Sequence, residues 1–133
     1  MTLEWGRPKS PEAYVIAVLK PLGLPVVPER GDGDPLPSYM VTVIPGATSD
    51  RVTLCALVQV NSFDATRDKA RIAADNADHA LMSMNDWDVV TLPDGSTTTA
   101  IVDCKMWPNW HEYRDPRVKC YIARYQIELR FTF

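Results

Sequence analysis

Two histidines, His79 and His111, and three cysteines, Cys55, Cys104 and Cys120, are the side chains best suited to nucleophilic or metal chemistry near neutral pH. Their spacing supports neither. His111-Glu112 begins like a zinc-protease helix, but Asp115 stands where the second histidine would complete the ligand pair. No serine sits in a GxSxG elbow, no CxxC spacing occurs, and the glycines form neither a P-loop nor a dinucleotide fingerprint. Gly31-Asp32-Gly33-Asp34 has the look of a calcium loop, yet lacks the downstream ligands and the closing glutamate, so it reads as a turn. Asp86 and Asp88 flank a strand end, where carboxylates commonly hold turns. The pattern gives no catalytic, metal-binding or cofactor-binding residues. An unfamiliar active site would leave no such motif, so a small monomeric α+β enzyme or ligand-binding domain stays open as an alternative.

The elements that would have to position such groups start from a chain of 133 residues, enough for one modest core and one domain. A formal net charge of -3 has the wrong sign for general attraction to nucleic acid phosphates. No apolar run approaches the ~20 residues of a membrane span, and Glu4, Arg7 and Lys9 interrupt the N-terminus where a signal peptide would be apolar. A soluble protein made in the cytoplasm, with no membrane partner and no specific nucleic acid partner, is therefore expected. The three cysteines lie in alternating apolar stretches and read as reduced, buried small hydrophobes.

Ser10 as cap and Pro11 in the first turn open a helix that should stop near Lys20, before Pro21. Residues 21–37, rich in proline and glycine with few core candidates, read as a long loop or arm. Tyr39 to Ile44 and Arg51 to Asn61 form a hairpin around Pro45, Gly46, Ser49 and Asp50, with Val52, Leu54, Ala56, Val58 and Val60 on one apolar face. The strongest local signal is a helix from Ala65 to Met84, capped by Asp64 and carrying Ala70, Ala73, Ala74, Ala77, Leu81 and Met84 at helical spacing. Its other face, with Arg67, Asp68, Arg71, Asp75 and Asp78, reads as solvated. A second hairpin pairs Trp87 to Leu92 with Thr97 to Lys105 across Pro93-Asp94-Gly95, and Arg117 to Phe133 is a long final strand. The expected fold is a single α+β domain, residues 1–133, with a mixed or antiparallel sheet of about five strands and two helices packed on one face.

Two regions promise more apolar surface than such a fold hides. Near the start of the last strand Val118, Cys120 and Ile122 are apolar, and so are the alternate residues Tyr121 and Ala123. A bulge or simply imperfect alternation explains this, or a neighbouring subunit covers the second face. Met106 to Pro116 reads as a connection holding Trp107, Trp110, Tyr113 and Arg114, residue types that anchor protein interfaces. The connection either folds back over the core edge or meets a partner. Candidate interface residues are Trp107, Trp110, Tyr113 and Arg114, with Val118 and Tyr121 at the strand start and Pro35 and Leu36 in the arm.

The layout resembles the tail terminator, or tail completion, proteins of lambda-like siphophages. The likeness rests on the first helix Pro11 to Lys20, the variable proline-rich loop, the alanine-rich helix at Arg67 to Met84, the Pro93-Asp94-Gly95 turn and the long last strand. In particular, Val58-Gln59-Val60-Asn61-Ser62-Phe63-Asp64 followed by Arg67, Ala70 and Ala74 looks like the strand-to-helix passage of actinobacteriophage members. The resemblance implies a non-catalytic virion subunit without cofactors. It implies a homo-oligomeric ring, a hexamer, that caps the tail tube, ends its polymerisation and presents a surface to the neck or head completion protein, with the genome passing through the ring. Its partners would be copies of itself, the tail tube protein and the neck. A different neck component, such as a head completion, stopper or connector protein, is the nearest alternative.

Overall fold

A computed structural model describes residues 10–27, 35–49, 53–85 and 87–130, with the backbone alone at 47–49. Its five-stranded mixed sheet and two helices on one face form a single compact α+β domain, as expected.

The first helix, α1 (Pro11–Leu19), begins as its sequence dictates. Ser10 is extended, its Oγ accepts the Ala13 N–H at 3.1 Å, and Pro11 fills a first-turn position that has no amide partner to lose. The chain tightens into a 3-10 turn at Lys20–Leu22 and leaves it at Gly23, whose φ of 85° is a left-handed conformation that glycine adopts without strain. The next segment is less idle than its prolines indicate. Val26–Val27 (β1) pairs in parallel with Tyr39 and Met40, and Leu24 and Val26 pack on the core. Pro28 to Asp34 of the expected arm lie outside the described residues.

Strands β2 (Ser38–Ser49) and β3 (Thr53–Asp64) are antiparallel. The hairpin is longer than the Pro45-Gly46 signal indicates. Their register shifts between the Ile44–Leu57 and Thr48–Cys55 pairs, so Pro45 and Gly46, the latter at φ 114°, make a bulge inside β2 rather than the turn. Ala56, Val58 and Val60 are buried on the helix-covered face, as their alternation requires.

Helix α2 (Arg67–Met82) is capped by Thr66, whose Oγ1 accepts from the Lys69 N–H at 3.3 Å. The expected cap, Asp64, is instead the last residue of β3, paired with Lys119, and its carboxylate accepts the Ala65 N–H. Ala70, Ala73, Ala74, Ala77 and Leu81 form the buried stripe. Small side chains let the helix approach closely enough for two tyrosines to reach it. Tyr39 donates its hydroxyl to the Ala73 carbonyl at 2.7 Å, and Tyr125 donates to Asp78 Oδ1 at 2.7 Å.

The second expected hairpin divides. Val90–Thr91 (β4) and Thr97–Thr98 (β5) form a separate two-stranded ribbon around the Gly95 turn, with Val90 and Leu92 in the core, and exposed Trp87 belongs to no strand. The chain then enters β6 (Ala100–His111), which pairs with β7 (Lys119–Arg130) and not with β4. The expected connection Met106 to Pro116 is thus strand as far as His111. Alternation is obscured there because the β6–β7 register shifts twice, between Cys104 and Met106 and between Met106 and Asn109. The sheet order is β1-β2-β3-β7-β6.

Three core tyrosines and a thiol tie stability to alkaline pH. Burial pushes the Tyr39 hydroxyl from 10.0 to about 12 and, with help from Asp88, Tyr14 to about 12. Burial also lifts the Cys120 thiol from 9.0 to about 11, against a hydrogen bond from Asn61, and raises Tyr125 further with help from Asp78. Because the folded protein holds these protons more tightly than the unfolded chain, their stabilising contribution is complete below pH 9 and is lost as pH rises through 11 to 12. Thermal melts followed by circular dichroism should give a flat midpoint to pH 9 and a steep fall above it. Tyr39→Phe should lower stability at neutral pH by about 1 kcal/mol and shallow that fall.

Candidate assembly surface

The residues expected at an interface separate into two groups on opposite sheet faces, with Trp107 and Pro35 outside both. On the helix-covered face, Trp110 of β6 pairs with Tyr121 of β7, their rings 5.9 Å apart at 68°. The Arg67 guanidinium stacks 4.4 Å from the Trp110 ring centre. That edge-on aromatic pair and the cation above it form a small satellite core with Ala70 and Ala74. Arg67 is exposed, as the charged face of α2 predicts, and its guanidinium also links the first turn of α2 to the edge strand.

On the open face, Phe63, Val118, Cys120 and Ile122 make a second core under Leu36, Met40, Met106 and Tyr113. Tyr113 meets Phe63 edge-on at 5.1 Å, and the exposed Arg114 places its guanidinium 5.7 Å from the Tyr113 ring. The two-sided apolar start of β7 is thus covered by the chain itself. No bulge in β7 is involved, since its register with β3 runs unbroken from Lys119 to Arg130. Val118 and Tyr121 are buried within the subunit, Leu36 is half-buried against the second core, and Pro35 is exposed.

Trp107 differs from all of these: it is 69% exposed on the edge strand. Asn109 fixes the irregular backbone around it, donating from Nδ2 to the Trp107 carbonyl at 2.8 Å and to the Ile122 carbonyl at 3.3 Å. Pro108 is buried beside it and lacks the amide that an added strand would use. The bulged half of β6 consequently exposes a side chain rather than a regular backbone ladder. Ile101 in the regular half is also exposed. Sequence reasoning missed Ile101, Trp87, Val89, Leu22 and Ile72, all exposed large apolar residues. For Ile72 a signal existed, since it interrupts the charged face of α2 between Arg71 and Asp75.

Beyond the second core, the open face carries a polar relay. Arg124 donates from Nε to Gln59 Oε1 at 3.0 Å, Gln59 donates to Asn61 Oδ1 at 2.9 Å, and Asn61 donates to the Cys120 sulfur at 3.8 Å. Half-buried Leu57 and Ile44 lie on the same face.

The chemistry-bearing residues do not converge. Both histidines are exposed and lie on different elements, and among the described residues no group of three or more His, Cys, Asp or Glu could hold a metal ion. Cys120 is buried while Cys55 and Cys104 are only half-buried, and burial raises the thiols of Cys104 and Cys120, the reverse of nucleophile activation. Among the described residues no helix is long and apolar enough to cross a membrane.

The two tryptophans should respond differently to truncation. Trp110→Ala removes the ring between Tyr121 and Arg67 and should destabilise the subunit by about 2–4 kcal/mol. Trp107→Ala should leave subunit stability within about 0.5 kcal/mol. Urea unfolding followed by circular dichroism checks both, and equal losses would contradict this division.

No protein-family model matches the sequence, and none of the curated proteins does.

Proposed function

We propose that this chain is a structural ring subunit that closes the end of a siphophage tail tube, a tail terminator. The observation that carries the reading is Trp107, a large aromatic side chain held out from an edge strand by a buried proline and an asparagine that secures the backbone. A rigid aromatic anchor loses little conformational freedom on association and is the commonest energetic centre of protein interfaces. The order of elements supports the same reading: a capped first helix, a strand passing through Ser62-Phe63-Asp64 into an alanine-striped helix, and a long last strand. These are the features that resemble tail terminators.

A subunit of this kind acts by shape. A ring needs two different patches on each copy, meeting head to tail with a rotation that closes. One ring face complements the tube end and the other does not, so no further tube subunit adds. The ring then presents that second face to the neck.

Sedimentation of the purified protein should show a closed oligomer, a hexamer, and phage lacking the protein should assemble tails of abnormal length. Tails of normal length that fail to join heads would instead identify a stopper or head completion protein. A monomer at high concentration, with no affinity for tube ends, would end the ring reading.

A further inference from the structure

Among the described residues, two grooves on the helix-covered side of the subunit stand out. The larger, about 620 Å³, runs between the end of α1 and the Pro93–Gly95 turn, and nothing around it identifies an occupant. The smaller, about 240 Å³, lies between α2 and the 3-10 turn. Tyr39 and Ala73 line it, with Lys69 among its polar residues. Leu22 and Ile72, two of the exposed large apolar side chains, also line it and are 36% and 51% exposed. It is an open slot with apolar walls at Leu22, Leu24 and Ile72, and Asp64, Lys69 and Asn76 also line it.

We infer that this slot seats Trp107 of a second copy of the chain, making the knob-and-hole contact that joins neighbouring subunits. The inference rests on the ring reading above and specifies its interface.

Three observations support it. The first is size: a cavity of roughly 150 Å³ holds a benzene ring, so a slot of about 240 Å³ accommodates the two fused rings of an indole. The second is chemistry. Leu22 and Ile72 offer apolar walls to the ring faces, and the Lys69 ammonium at the slot can approach the indole π-system.

The third is placement. The slot lies over Tyr39 of β2 and the end of β3 at Asp64, toward the β1–β2 side of the sheet, and Trp107 projects from β6, the opposite edge strand. Trp107 lies between Met106, opposite Arg124, and Asn109, opposite Ile122. Through Gln59 and Asn61 those two rows cross the sheet to Thr42 and Met40. The slot's Tyr39 is the next residue along β2 from Met40. Knob and hole thus sit at nearly the same level along the strands, so a rotation about an axis parallel to the strands joins successive copies with little climb. A contact without climb can close on itself, whereas one with climb grows into a helical filament.

The contact is heterologous, which makes it testable by complementation. Trp107→Ala lacks the knob and keeps the slot, and Ile72→Arg fills the slot and keeps the knob. Both positions are exposed, and circular dichroism verifies that each variant is folded. Alone, each should need a concentration roughly 30-fold or more above that of the wild type to assemble. Mixed in equal amounts they should form a 1:1 dimer and nothing larger, because one intact contact remains. Leu22→Asp replaces Ile72→Arg should the latter fail to fold. A wild-type ring that both variants still form would overturn the inference and leave the ring reading intact. So would variants that lose assembly yet give no dimer on mixing. A wild type that remains monomeric removes both.

Discussion

The antiparallel pairing of β3 with β7 is the constraint on which the other features depend. It runs without a register shift from Thr53–Arg130 to Asp64–Lys119, through the centre of the sheet. Since a one-residue slip would turn every inward side chain outward, this register fixes which residues meet the helices and which do not. Val58, Val60, Tyr125, Ile127 and Leu129 meet the helices, while Gln59, Asn61, Arg124 and Gln126 form the opposite face. At the end holding Phe63 and Cys120 both faces are apolar and buried, and there Leu36, Met40, Met106 and Tyr113 close over the second one.

The helix layer follows from that register. Alanines at 70, 73, 74 and 77 bring α2 close to the sheet, and the hydroxyls of Tyr39 and Tyr125 then span the gap to Ala73 and Asp78. Larger stripe residues would lift the helix and break both bonds. The same close approach sets Arg67 over Trp110, so that the first turn of α2 holds the edge strand β6. Burial, hydrogen bonding and cation–π stacking therefore converge on one helix, which carries on its outer side the slot wall at Ile72.

The outer surface acquires its character from irregularities in this frame. Two register shifts in β6 and the buried Pro108 spoil the edge as a template for strand addition, and they turn Trp107 outward. An edge that resists backbone pairing but displays an aromatic side chain discriminates among partners by shape.

The sequence by itself determined the local events: the Ser10 cap, the alanine stripe, the alternation of β3 and the glycine turn at Gly95 all depend on neighbours within a few residues. It also showed that the start of β7 is apolar on two sides, though not what covers them. Tertiary structure alone decided the rest. Whether Asp64 ends a strand or caps a helix depends on Lys119, 55 positions away. The parity of β6 was hidden by bulges that exist only against β7, so Met106 to His111 looked like a loop and Trp107 could not be told from Trp110. Exposure of a tryptophan is a property of what packs on it. For Trp110 that is Arg67 and Tyr121, residues far away in the chain, and for Trp107 nothing comparable covers the ring. Spacing rules register partners a few residues apart, and they carry no information about contacts made across a sheet.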